Sequence, residues 1–322
     1  MSRAWRAAAS DPALFRVVDL STGSGVDRVN DGLLHAISAK ARGLLRSLDV
    51  TGRVKPACRF FRERVSVDAL ARVVGDNAAS LQHLRALCTL DEQGEGRHEL
   101  TQKEVCRLQQ ASATTTRFDV DVKCTSTEDL LALLRTGTSS SVFVRFLKLE
   151  LPYKEWEDET FTDVQAYLAA HPSVMQLSMW QAPLGATREV NELVECIVAS
   201  RLTSLTFVNC GMDAASMPAL THLSSEGSLR VLCLVNNGIE VPPSSAFCSA
   251  LHSCELVKLT HTLGPVGAIA IVNAVTGHHT LQVISFTLRP LNMYDLDRIR
   301  HSRRWCRAGQ VDQGRCAIID FA

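Results

Sequence analysis

The sequence predicts an α/β solenoid in which short strand-and-helix units stack in chain order and their strands form a parallel sheet. Three observations predict this fold. A six-residue phrase with apolar first, fourth and sixth residues recurs along the chain, its copies are evenly spaced, and the segments between copies have helical periodicity. We expect a horseshoe with strands on the concave face, helices on the convex face and a cap at each end.

The repeated phrase is clearest where it begins at Val174, Leu202, Leu229 and Leu281. The copies from Leu202 and Leu229 extend into LTSLTFVNCGM and LRVLCLVNNGI, in which Cys210 and Asn237 occupy the Asn/Cys position of a leucine-rich repeat. With a looser copy at Leu256, the intervals are 28, 27, 27 and 25 residues. These lengths fall within the range of about 20 to 29 residues that is typical of leucine-rich repeats.

Weaker copies extend toward the N-terminus. Val144 begins one copy 30 residues before Val174, and a looser phrase around Phe118 precedes it. Leu81 with Leu84, and Leu45 with Leu48 and Val50, mark two earlier units that are 36 residues apart. The longer interval predicts longer connections between the first units.

The segments between the phrases predict helices. Residues 127–135 begin with a capping threonine and two acids and are followed by Gly137, which favours a helix end. Residues 191–200 carry apolar side chains at helical spacing, and residues 244–252 follow a Pro-Pro break and a capping serine. One strand and one helix in about 27 residues is typical of the long, ribonuclease-inhibitor-like repeat.

Composition indicates a soluble protein of a reducing compartment. Hydrophobic residues make up 46% and charged residues 21% of the chain, and 34 basic residues balance 34 acidic ones. No global charge favours nucleic acid, and no run of about 18 apolar residues predicts a membrane span. Eleven cysteines without a CxxC pair read as small apolar residues, which favours the cytoplasm or nucleus.

No motif in the sequence predicts catalysis or a cofactor. Phosphate-binding and nucleophile-elbow patterns are absent, so we expect a protein that is not an enzyme. Cys248, His252 and Cys254 could contribute to a metal site, but a zinc site needs four ligands and packing is the favoured interpretation. The arginines between Arg298 and Arg307, with Trp305, form a basic cluster that we expect to be a solvated cap helix, and nucleic-acid binding is disfavoured.

The predicted concave face is the favoured binding surface, because alternate residues of a strand point to opposite sides. Trp180 is the expected anchor, with Phe146 on the preceding strand, unless another segment of this chain covers both. The predicted partner-binding residues are Phe146, Lys148, Glu150, Gln176, Ser178, Trp180, Thr206, Val208, Val235 and Lys258.

The N-terminal segment SRAWRAAASDPALFRVVDLS resembles the second half of an F-box. A helix with a basic residue and a tryptophan leads into an Asp-Pro-x-Leu-aromatic turn and a Val-Asp-Leu-Ser strand. The matching residues are Arg3, Trp5, Arg6, Asp11, Pro12, Leu14, Phe15, Arg16, Val18, Asp19, Leu20 and Ser21. The resemblance implies contact with the Skp-type adaptor of a cullin-RING ubiquitin ligase, through Arg3, Trp5, Leu14 and Phe15.

A complete F-box is about twice as long and opens with a Leu-Pro segment, so two interpretations stay open. Either the sequence lacks upstream residues, or a diverged remnant caps the first repeat. We expect residues 1–21 to form this F-box-like segment or cap, residues 22–291 the solenoid and residues 292–322 a helical cap. The resemblance implies a substrate receptor of a ubiquitin ligase. The alternatives are a stand-alone assembly protein and, less favoured, a metal-dependent protein or enzyme that uses the region of Cys248, His252 and Cys254.

Overall fold

A computed structural model describes residues 11–21, 29–51, 65–87, 99–112, 116–137, 142–185, 188–226, 228–235, 237, 245–253, 258–261, 271, 283–287 and 316–320. Strands and helices alternate along this part of the chain, as the sequence predicts. The chain divides into two compact units, one comprising Met1–Cys124 and Glu128–Lys148, the other Thr125–Thr127 and Leu149–Ala322.

Unit 1 contains a sheet whose strands follow chain order, apart from one short strand. The strands are β1 (Val17–Asp19), β2 (Ser47–Asp49), β3 (His83–Ala86), β4 (Leu100–Thr101), β5 (Arg117–Cys124) and β6 (Val142–Glu150), the last of which crosses into unit 2. The order is β1-β2-β3-β5-β6, with β4 beside β5. The pairs β1–β2, β2–β3, β3–β5 and β4–β5 are parallel.

Helices connect the strands of unit 1, and polar side chains cap their starts. The helices are α1 (Asp31–Ala41), α2 (Val67–Asp76), α3 (Gln102–Ala111) and α4 (Thr127–Gly137). Asn30 and Ser66 accept backbone N–H groups at the starts of α1 and α2, and Thr101 forms a capping box with Glu104 at α3. The helix predicted from Thr127 is confirmed as α4.

Unit 2 continues the same pattern of alternating strands and helices. Its strands are β7 (Gln176–Trp180), β8 (Ser204–Val208), β9 (Val231–Val235), β10 (Lys258–His261), β11 (Val283–Thr287) and β12 (Cys316–Asp320), and its helices are α5 (Asp158–Ala170), α6 (Arg188–Ala199), α7 (Met217–Glu226) and α8 (Ser245–Ser253). Strands β7 to β11 pair in parallel and in chain order. The predicted helices near residues 191–200 and 244–252 are confirmed by α6 and α8.

The core of each unit is built from the repeated phrase. In unit 1, Leu48, Leu84 and Phe118 occupy the same register position on adjacent strands and are buried. In unit 2, Leu177, Leu205 and Leu232 form an equivalent row, which Leu259 and Ile284 continue in register. The buried side chains of the two rows are therefore neighbours of their counterparts on adjacent repeats, as a stacked array requires.

Asn237 and Cys210, which the signature singled out, link neighbouring turns of unit 2. The amide oxygen of Asn237 accepts the backbone N–H of Cys210 at 3.0 Å, and its Nδ2 donates to the carbonyls of Phe207 and Val235 at 3.1 and 3.2 Å. The thiol of Cys210 lies 3.3 Å from the carbonyl oxygen of Met179. Both side chains are buried, so they supply partners to main-chain groups that water cannot reach.

A serine immediately before the phrase makes a second link between repeats. The Ser80 hydroxyl donates to the carbonyl of Leu45 at 2.8 Å, and the Ser228 hydroxyl donates to that of Leu202 at 2.9 Å. The two contacts are equivalent. Each serine precedes the first apolar residue of one repeat and donates to the carbonyl of the first apolar residue of the previous repeat. The repeat signature does not include this serine.

The end of the chain differs from the expected helical cap where it is described. Residues 316–320 form β12, which pairs antiparallel with β11. The basic cluster from Arg298 to Arg307 lies outside the described residues, and the predicted horseshoe curvature stays a prediction.

Candidate functional site

The strand face of unit 1 opposite the core row carries a polar cluster. Register places Asp19, Asp49, Arg85 and Asp119 side by side on β1, β2, β3 and β5. A second row places Ser47 beside His83, and His83 beside Arg117. Because residues two apart on a strand share a face, the two rows form one surface, which we call the polar cluster.

Asp119 lies at the centre of the polar cluster. Its Oδ2 lies 3.1 Å from Nε2 of His83, and its Oδ1 accepts a hydrogen bond from Nε of Arg117 at 2.9 Å. The guanidinium carbon of Arg117 also lies 4.1 Å from the centroid of the Phe143 ring, which is a cation–π distance. Both oxygens of the carboxylate are thus engaged, and Arg117 is fixed from two sides.

Arg85 is held by Asp49, its neighbour in the same row on β2. Its guanidinium lies 3.5 Å from Oδ2 of Asp49, and the other oxygen of Asp49 accepts the backbone N–H of Thr51 at 2.8 Å. Nε of Arg85 is buried with no hydrogen-bond partner in the described part of the chain. Asp19 is exposed; hydrogen bonds from the hydroxyl and then the backbone of Ser21 lower its pKa, and the charge of Arg85 lowers it further.

Exposure separates the two signs of charge within the polar cluster. The side chains of Arg117, Arg85 and His83 are 54%, 39% and 37% exposed. Those of Asp119 and Asp49 are only 8% and 17% exposed. A molecule that approaches β2, β3 and β5 therefore meets hydrogen-bond donors first, because Asp49 and Asp119 lie beneath them, whereas the exposed Asp19 lies on β1.

The repeat signature does not predict the polar cluster, because the signature is clearest after Val144 and weak over the strands of unit 1. A signal was present in the eight residues RFDVDVKC of β5, where charged and apolar residues alternate. That period of two is typical of a strand with one buried face and one polar face. The alternation of His83, Leu84, Arg85 and Ala86 on β3 repeats it.

The predicted face of unit 2 is in register, but most of it is buried. Trp180, Val208 and Val235 align across β7, β8 and β9, and Ser178 and Thr206 align in the next row. Ser178, Thr206 and Val208 are buried. Of the two rows, Trp180 and Val235 are the partly exposed members. The binding role of these residues stays a prediction.

Trp180 folds back over its own strand. Its indole Nε1 donates to the hydroxyl of Ser178 at 2.9 Å. The indole is therefore held by a contact within unit 2, and only part of the Trp180 surface is exposed.

The remaining predicted binding residues have varied surroundings. Phe146 and Lys148 are buried, with 2% and 7% exposure, which removes the exposed aromatic surface expected of Phe146. Glu150 and Gln176 are half-buried. Lys258 begins β10, and its side chain lies outside the described residues, so its predicted role has no structural account.

The F-box-like segment has the expected local structure where it is described. Asp11 accepts the backbone N–H of Ala13 at 2.9 Å and caps a 3₁₀ helix over Pro12–Phe15, which β1 follows. Leu14 is 61% exposed, and Phe15 lies half-buried beneath the ammonium of Lys40, 5.4 Å from the ring centroid. Arg3 and Trp5 lie outside the described residues.

Possible metal ligands and thiols are the other candidates for chemistry among the described residues. Among them, no three histidine, cysteine or acidic side chains are placed to hold a metal ion. Burial raises the pKa of the Cys124 and Cys210 thiols to about 12, which keeps them neutral. Cys248 is half-buried, and Cys254 falls outside the described part. In the same part of the chain, no helix is long and apolar enough to cross a membrane.

Comparisons with known proteins give weak similarities. Neither a family model nor a curated protein matches the chain. The chain is similar to the crystal structure of the Rad7 and Elc1 complex in yeast, with 9% identity, a TM-score of 0.42 and coverage of 92% of this chain and 86% of that one. A candidate phosphonomutase from Burkholderia cenocepacia matches with 14% identity, a TM-score of 0.21 and coverage of 69% and 82%.

Proposed function

We propose that this chain is a non-enzymatic scaffold for protein recognition, built from leucine-rich repeats. One observation supports this proposal above the others: the strand face of unit 1 presents three exposed cationic or imidazole side chains, each with a contact to a neighbouring carboxylate or ring. Side chains fixed in this way lose little conformational freedom when a partner binds, which favours recognition. The free thiols of the described residues fit a cytoplasmic or nuclear protein.

Site-specific photo-cross-linking tests the scaffold proposal. A photoreactive amino acid replaces Ser47, which lies on the strand face beside His83, or Arg72, an exposed residue on helix α2 of the same unit. We expect one or a few proteins to cross-link from position 47 and not from position 72. Equal capture from both positions, or none from position 47, would contradict recognition by the strand face.

The finer proposal is that the chain is a substrate receptor of a cullin-RING ubiquitin ligase. It rests on the F-box resemblance and is supported by the capped turn at Asp11, the strand that follows it and the exposure of Leu14. An apolar side chain that is 61% exposed is available for contact with an adaptor.

Co-elution with a purified Skp-type adaptor in size-exclusion chromatography tests the ligase role. We expect Leu14→Asp to abolish co-elution, and Leu44→Asp to leave it intact, because Leu44 is a comparably exposed apolar residue of the same unit. If the unaltered chain does not co-elute, the ligase role is wrong and the stand-alone assembly protein becomes the proposed function.

A further inference from the structure

The net charge of the polar cluster of unit 1 does not show which of its charged groups a partner would contact. Its acids and bases nearly cancel, so a partner feels little attraction at long range. On β2, β3 and β5 the signs separate at contact, because Arg85 and Arg117 expose more than a third of their side chains, whereas Asp49 and Asp119 expose 17% and 8%. The exposed acid of the cluster, Asp19, lies apart on β1. Recognition at this face must therefore come from direct hydrogen bonds.

The available donors belong to Arg85, Arg117 and His83, which we call the cationic strip. Nε of Arg117 donates to Asp119, while its guanidinium lies over the ring of Phe143, and these two contacts limit the orientations of the guanidinium plane. The guanidinium of Arg85 contacts Asp49 through one terminal nitrogen, and its buried Nε is out of a partner's reach. Planar guanidinium groups with free N–H pairs match carboxylates in bidentate geometry.

We propose that the cationic strip binds an acidic segment of a partner protein, whose carboxylates accept hydrogen bonds from Arg85 and Arg117. This inference rests on the proposed scaffold function and names the chemistry of its partner. The register also sets a limit on the segment's position. Adjacent strands lie about 4.8 Å apart, so Asp19, two strands from Arg85, lies about 10 Å away and marks the edge where a further acid is not favoured.

A peptide-binding assay on the full chain tests the proposal. The probe is a fluorescein-labelled peptide of alternating glutamate and serine, and its binding is measured by fluorescence anisotropy at about 0.1 M salt, where charges farther apart than about 10 Å are screened. The comparison probes are a lysine-serine peptide of equal length and a single-stranded oligothymidylate.

We expect the acidic peptide to bind and the lysine-serine peptide not to bind. Arg85→Gln and Arg117→Gln should each weaken binding roughly tenfold, because each removes a charged hydrogen bond. Arg72→Gln, on helix α2, makes the same change of net charge and should leave affinity unaltered. Asp19→Asn should strengthen binding at most about twofold, since its charge lies at a distance.

Three results would overturn the proposal: no binding of the acidic peptide at about millimolar concentration, an equal loss with Arg72→Gln, or tighter binding of oligothymidylate that the same two strip variants abolish. The last result would assign the face to nucleic acid. A partner captured from position 47 whose affinity survives both strip variants would leave the scaffold function intact and refute the acidic segment alone.

Discussion

Asn237 should contribute strongly to stability, because a single amide side chain serves three main-chain groups. It accepts the N–H of Cys210 and donates to the carbonyls of Phe207 and Val235. In Asn237→Ala the Cys210 N–H is left buried without this acceptor, at a cost of about 1–3 kcal/mol. The carbonyl of Val235 keeps a second partner, the N–H of Asn209 at 3.0 Å. Losing the hydrogen bond from Asn237 to this carbonyl should therefore cost little. We expect the free energy of unfolding to fall by about 2–4 kcal/mol in total.

Urea unfolding followed by circular dichroism measures this change, and hydrogen exchange of the Cys210 amide reports its location. Asn237→Cys should lose less, because Cys210 shows that a thiol at the equivalent position still donates to a carbonyl. Ser225→Ala, on the exposed surface of α7, should stay within about 0.5 kcal/mol of the unaltered chain. A loss below about 0.5 kcal/mol for Asn237→Ala would refute the reasoning.

Three further predictions concern unit 2 and the buried thiols. Trp180→Ala should weaken binding of a captured partner about tenfold or more, measured by calorimetry, and unaltered affinity would remove Trp180 from the binding surface. Gly185→Ala should lower the free energy of unfolding by about 1–3 kcal/mol, because the new Cβ would lie 3.0 Å from the carbonyl oxygen of Gly211; an unchanged urea midpoint would show that the turns can separate. Burial raises the pKa of the Cys124 and Cys210 thiols from 9.0 to about 12. The contribution of these two thiols to the free energy of unfolding should therefore be fully present below about pH 9 and be lost between about pH 9 and 12, because the unfolded thiols ionise first. Urea titrations at several pH values measure this change, and Cys→Ser variants at both positions should make the slope in that range shallower.

The repeated pattern in the sequence was sufficient to predict the alternation of strands and helices. The apolar side chains at the first, fourth and sixth positions of a phrase can be buried together only against a neighbouring repeat. This requirement favours parallel pairing of the strands in chain order. The observed row of Leu177, Leu205 and Leu232 confirms this part of the prediction. The Asn/Cys position was also identified from the signature, although its hydrogen-bond partners required coordinates.

The candidate site was harder to predict, because exposure depends on neighbours that a single phrase does not contain. Phe146 and Ser178 occupy positions that the pattern directs away from the core, yet both are buried. His83, Arg85 and Asp119 are separated by up to 36 residues and meet through strand register. In the sequence, the alternation of polar and apolar residues within β3 and β5 is the signal that indicates a polar face.

The antiparallel direction of β12 limits how this protein could be lengthened by design. Each parallel strand from β7 to β11 offers the next repeat an edge with the same polarity, and β12 occupies the edge of β11 with the opposite polarity. A supplementary repeat appended after β12 would find no parallel edge to join. An added repeat should therefore be inserted between β10 and β11. The backbone N–H and C=O groups of both strands are already spaced to pair with a parallel strand.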